Sequence, residues 1–94
     1  MKTVLGLDTS STSTGWSLFI DDKYQNSGLI DLKKYKDTTE RLKCMVIELQ
    51  NLINYYSPTV VVIETPVVVR NPQTQRLLTT IYGAVYGKCV WDDI

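Results

Sequence analysis

The chain has no histidine, two cysteines, three prolines, one phenylalanine and no surplus of either charge. Each shortage excludes something. Without histidine there is no Ser-His-Asp triad, no histidine general base and no His-rich zinc site within these residues. Cys44 and Cys89 stand too far apart for a zinc knuckle and are too few for a disulfide scaffold. Long apolar runs are also missing. The opening MKTVLGLD reaches Asp8 before a signal-peptide core develops, and Val60 to Ile63 is far short of a membrane span. The expectation is a soluble cytoplasmic protein with reduced thiols.

What remains is ordinary globular material. Of 94 residues, 44% are apolar and 21% charged, enough for one small domain with a modest core. Ten basic side chains balance ten acidic ones. Residues 1–31 are acidic, residues 32–57 mildly basic with Lys33, Lys34 and Lys36 together, and residues 58–94 even. No block announces nucleic acid by charge alone, and the lysine cluster reads as a solvated loop.

The apolar pattern divides the chain in two. Thr3–Asp8 reads as a buried strand ending in an acid, and the hydroxyl-rich Thr9–Thr14 as a turn. Gly15–Ile20 and Tyr24–Leu32 follow as strands of an antiparallel meander, the last an edge with a bend or bulge at Gly28. The period then becomes helical. Asp37 to Glu40 has capping-box spacing, and Leu42, Met45, Val46, Leu49, Leu52, Ile53 and Tyr56 recur at i, i+3, i+4, i+7 until Ser57-Pro58 stops the helix. Thr59–Glu64 is a β-branched run suited to a strand covered on both faces, and it too ends in an acid. Asn71-Pro72 caps a second helix over 72–88, with Gly83 and Gly87 permitting close approach. Cys44 and Cys89 read as small apolar helix residues, Trp16 and Tyr55-Tyr56 as packing aromatics, and Asp92-Asp93 as a solvated turn.

A right-handed crossover sets strand 59–64 beside strand 3–8, which brings Asp8 and Glu64 together at one sheet end. Taken alone, an Asp before a Ser/Thr turn is often only a turn acceptor. A Glu directly after four aliphatics must be paired, exposed or metal-bound. Two such acids, with hydroxyls and Asn71 nearby, form an oxygen-only ligand set suited to Mg²⁺ or Mn²⁺ and to phosphodiester hydrolysis.

These segments resemble the RuvC-type Holliday junction resolvases of the RNase H-like nucleases. VLGLDTSSTSTGWSLF is similar to that family's first hairpin, with Asp8 and Thr14-Gly15 in place, and VVVIETPVVVRNPQTQRLLTTIYGAVYG matches its second motif through Glu64, Arg70-Asn71 and Gly83. The resemblance implies an α/β RNase H-like fold in which three antiparallel strands are followed by α-β-α. It implies a divalent-metal-dependent, structure-selective endonuclease acting on branched DNA as a homodimer. Asp8 and Glu64 map onto the first two of four acidic metal ligands. The other two belong on a helix after a fifth strand, so residues 1–94 are expected to be a single domain truncated at its C-terminus and inactive alone. The uncovered edge of strand 59–64 is then expected to favour self-association.

Thr14, Arg70, Asn71 and Arg76 are the expected nucleic-acid contacts. Val67 stands where the cellular resolvases tend to carry an aromatic, and Thr9-Ser10 replaces a common Pro-Gly, as in phage-like divergent members. Two other readings stay open: an actin-like ATPase or tRNA-modification accessory domain that binds nucleotide, and a non-catalytic binding or dimerisation module of the same fold.

Overall fold

A computed structural model of the chain describes residues 1–10, 13–64 and 71–94. Its elements are β1 (Thr3–Thr9), β2 (Ser13–Ile20), β3 (Lys23–Asp31), α1 (Thr38–Tyr56), β4 (Val60–Ile63) and α2 (Pro72–Trp91). The four strands form one sheet in the order β3-β2-β1-β4, antiparallel except for the parallel β1–β4 pair. This is the mixed α/β sheet expected from the sequence, with β4 returned beside β1 by α1.

Alternation along the strands sorts side chains onto two unlike faces. Leu5 and Leu7 of β1, Leu18 of β2 and Ile30 of β3 meet Met45 and Leu49 of α1 and Ile81, Val85 and Cys89 of α2 in one buried cluster. Both helices therefore cover the same side of the sheet. The opposite side is open, and Tyr24, Leu29 and Val62 on it are each more than half exposed.

The β1–β4 register is pinned at its start by a side chain. The hydroxyl of Thr59 accepts the Thr3 N–H at 3.0 Å and donates to the Thr3 carbonyl at 3.0 Å. Val61 and Ile63 then pack against the core, while Val60 and Val62 face solvent. The expectation of a strand covered on both faces fails here. β4 is an edge strand, and only its inner face has a helix to meet.

Four other local readings are refined. The hairpin ladder extends through Thr9↔Thr14, so both strands run further into the hydroxyl segment than alternation alone implied. Asp37 occupies the cap position of α1, but its side chain makes no cap hydrogen bond; its charge still favours the positive helix end. The irregularity in β2–β3 falls between Leu18 and Phe19 rather than at Gly28. Gly28 pairs regularly with Trp16, and a Cβ on it would come within 2.7 Å of the indole. Glycine is needed there because the ring lies over it, packed 5.8 Å from the Tyr56 ring. Finally, α2 continues to Trp91, and Asp92 pairs with Lys88 at 2.8 Å instead of standing free in solvent.

Candidate metal centre

Asp8 is the sixth residue of β1, and its parity puts it on the open face with Val4 and Gly6. Glu64 follows β4 directly and donates its N–H to the Leu7 carbonyl at 3.0 Å, continuing the parallel ladder. This in-register continuation lays Glu64 beside Asp8, and both are exposed. They border an open cleft of about 320 Å³, lined also by Gly6, Gly15, Ser17 and Val62. The small residues keep the cleft floor low. A Cβ on Gly6 would meet the Ser17 hydroxyl at 2.9 Å.

The electrostatics follow from that proximity. A side-chain hydrogen bond to Asp8 raises the Glu64 carboxyl above its ordinary range, and the Asp8 charge and slight desolvation push the same way. Two carboxylates this close favour a shared proton or a shared cation. The donor set is all oxygen. Cys44 and Cys89 lie on the helices, Cys89 buried in the core, where burial pushes its thiol pKa up. Such a pair fits a hard, partly hydrated Mg²⁺ or Mn²⁺. No cluster of three or more potential ligands occurs among the described residues.

The other expected site residues separate. Thr14 is fully buried, and its hydroxyl donates to Met45 Sδ at 3.3 Å. That corrects its expected role as a nucleic-acid contact, because a side chain on the helix-covered face meets no external ligand. Asn71 is exposed and caps α2, with Oδ1 accepting the Gln73 N–H at 2.9 Å. Arg76 is exposed one turn further along α2. Arg70 and Val67 lie outside the described residues. Gly6 and Ser17 were missed from sequence. The signal was the alternation of Gly6 and Asp8 with buried Leu5 and Leu7, which places a smooth patch beside the acid.

A 3-2-1-4 mixed sheet with strand-end Asp and Glu side by side defines the RNase H-like class. Residues 4–93 match the family model described as crossover junction endodeoxyribonuclease RuvC. The chain belongs to the RuvC family. It is similar to the crossover junction endodeoxyribonuclease RuvC of Prosthecochloris aestuarii, 34% identical over 86 residues that cover 87% of this chain and 46% of the relative. The RuvC of a Wolbachia from Brugia malayi is 31% identical over 90 residues, covering 90% of this chain and 56% of the relative. The chain thus spans about half the length of the curated relatives it matches.

Among solved structures, T. thermophilus RuvC in complex with Holliday junction substrate superposes with a TM-score of 0.86 at 14% identity, over 100% of this chain and 61% of that one. Another Thermus thermophilus RuvC structure gives a TM-score of 0.79 at 15% identity, over 98% of this chain and 60% of that one. At such identities the likeness establishes the fold. No described helix is long and apolar enough to cross a membrane.

Proposed function

We propose that the chain is the N-terminal part of a divalent-metal-dependent endonuclease that hydrolyses phosphodiester bonds in branched DNA, in the manner of a Holliday junction resolvase. The observation that carries this reading is the pair of strand-end carboxylates, Asp8 and Glu64, laid together by the β1–β4 register on the open face of an RNase H-like sheet. Asp8 and Glu64 would hold Mg²⁺ or Mn²⁺, which when bound supplies charge stabilisation at a phosphate and a more acidic bound water. Their task is to hold that charge against the cleft without histidine or thiol, and the low floor at Gly6 and Gly15 leaves room for a sugar–phosphate backbone. Asn71, Arg70 and Arg76 are the proposed backbone contacts near the start of α2.

Two carboxylates hold one cation weakly, and in-line displacement is served best when attacking and leaving oxygens are both stabilised. The 94-residue chain should therefore bind Mn²⁺ and cut DNA little or not at all. Joining it to the C-terminal half of the Prosthecochloris relative should restore cleavage of a four-way junction. In that chimera Asp8→Asn and Glu64→Gln should each abolish cutting and leave DNA binding largely intact. Full-rate cutting by either variant would overturn the assignment of these acids.

The same reading makes the protein a homodimer. Gly83, Tyr86, Gly87 and Val90 are all exposed and recur at i, i+3, i+4, i+7, opposite the buried stripe of Leu78, Ile81, Val85 and Cys89. Small residues interleaved with apolar ones suit a close helix–helix contact. Sedimentation of wild type against Gly87→Glu tests it, with dissociation to monomer as the expected result.

A further inference from the structure

The topology brings a second charged element to the carboxylate end of the sheet. Asp8 stands opposite Gly15, Gly15 opposite Leu29, and Asp31, two residues further along β3, opposite Ser13. The loop that leaves β3 toward α1 therefore emerges at the same end as Asp8 and Glu64. It carries Lys33, Lys34 and Lys36, all exposed.

This loop is braced. Leu32 is buried completely in the core. Asp31 Oδ1 accepts the Lys33 N–H at 2.9 Å, the Tyr35 N–H donates to the Leu32 carbonyl at 3.2 Å, and Arg41 Nε donates to the Tyr35 carbonyl at 2.6 Å. Lys34 Nζ rests 5.2 Å from the Tyr35 ring centroid. Asp31, Asp37 and Glu40 flank the lysines in sequence, yet none of the three ammonium groups is in an ion pair among the described residues. A braced turn thus presents three ammonium groups without a carboxylate partner among the described residues.

We propose that the Lys33–Lys36 loop grips the phosphate backbone of the DNA that enters the Asp8–Glu64 cleft, a contact that rests on the nuclease reading. With strands about 4.8 Å apart and roughly 3.3 Å per residue, Lys33 stands on the order of 16 Å from Asp8. That is roughly four to five nucleotide steps at about 3.4 Å each. The loop therefore engages a flanking stretch of backbone rather than the phosphate being cut. Ammonium groups act as point charges without bidentate geometry, so the contact positions the nucleic acid and reads no sequence.

The test is the salt dependence of binding, read by fluorescence anisotropy on a labelled four-way junction and on a duplex across roughly 50–200 mM salt. Each phosphate contact contributes about 0.9 to the slope of log affinity against log salt, so Lys33→Gln/Lys34→Gln/Lys36→Gln should flatten it by about 2–3 on both DNAs. Lys2→Gln/Lys23→Gln, at the other end of the sheet, should leave the slope unchanged. An unchanged slope in the loop variant overturns the proposal, and so does an equal change in the control pair or a wild-type chain without salt-dependent DNA binding. An acidic protein as the true partner gives the first of those outcomes. Mn²⁺ uptake, followed in parallel, separates the two ideas: its absence from wild type sinks the metal site, whereas its presence with an unchanged slope sinks the loop alone.

Discussion

The amide of Glu64 donates to the carbonyl of Leu7 across the parallel pair at 3.0 Å, one step beyond the last paired strand residues. That backbone bond sets the spacing of the carboxylates, because it makes Glu64 the lateral neighbour of the residue after Leu7, which is Asp8. Two acids are thus held together against their own repulsion by a ladder that the hydrophobic core stabilises.

The repulsion gives Glu64 a pH signature. Its carboxyl pKa is raised in the folded chain, so the protonated form favours the fold and that contribution disappears as pH rises through the folded value. Metal-free Glu64→Gln should therefore melt above wild type at pH 7, and the gap should close as pH falls through the carboxylate range. Thermal melts of both proteins from acid to neutral pH check this; a constant gap would contradict it. Added Mn²⁺ at tenfold over its Kd should stabilise wild type by about 1.4 kcal/mol and leave the variant unmoved.

Thr59→Val should loosen the start of the β1–β4 ladder. The hydroxyl bonds both the N–H and the carbonyl of Thr3, and its loss should cost about 1 kcal/mol in urea unfolding. Hydrogen exchange at the Glu64 amide should quicken if the ladder holds as a unit. Unchanged exchange there would show that the far end is held independently.

Gly28→Ala places a methyl group where the Trp16 indole lies, within 2.7–2.8 Å of three ring atoms. Overpacking of this kind costs about 1–3 kcal/mol. Tryptophan fluorescence should shift as the ring is displaced from Tyr56, and Trp16→Leu should make the alanine nearly neutral. Additive losses in the double variant would place the strain elsewhere.

Asp21 and Asp22 form the two-residue turn between β2 and β3 with φ of 50° and 68°. Positive φ at both positions favours glycine at the second. Asp22→Gly should raise stability by about 0.5–1 kcal/mol, read as a higher urea midpoint without a change in slope. A lower midpoint would mean that the Asp22 carboxylate has a role of its own.

Much of this was legible in the sequence because the chain states its periods plainly. Alternating and helical apolar spacing located the strands and helices, and an acid after each of two aliphatic runs located the candidate site. Thr14 was misjudged because a hydroxyl beside a polar turn looks exposed until the β1–β2 ladder is seen to reach it and turn it toward Met45. Val60 and Val62 were misjudged because a continuous aliphatic strand reads as buried on both sides, whereas cover depends on which elements reach each face. The purpose of Gly28 was hidden too, since the residue that requires it, Trp16, is on another strand.

The Asp8–Glu64 pair and the Lys33–Lys36 loop share one end of the sheet, which leaves the other end clear of both. There the Asp21 carboxylate accepts the Lys2 N–H and the Asp21 N–H donates to the Lys2 carbonyl, about 20 Å along β1 from Asp8 at some 3.4 Å per residue. A dye or surface anchor attached at that turn would hold every molecule in one orientation with the cleft outward. The chain can thus be mounted for single-molecule observation of DNA capture without its handle competing for the strand.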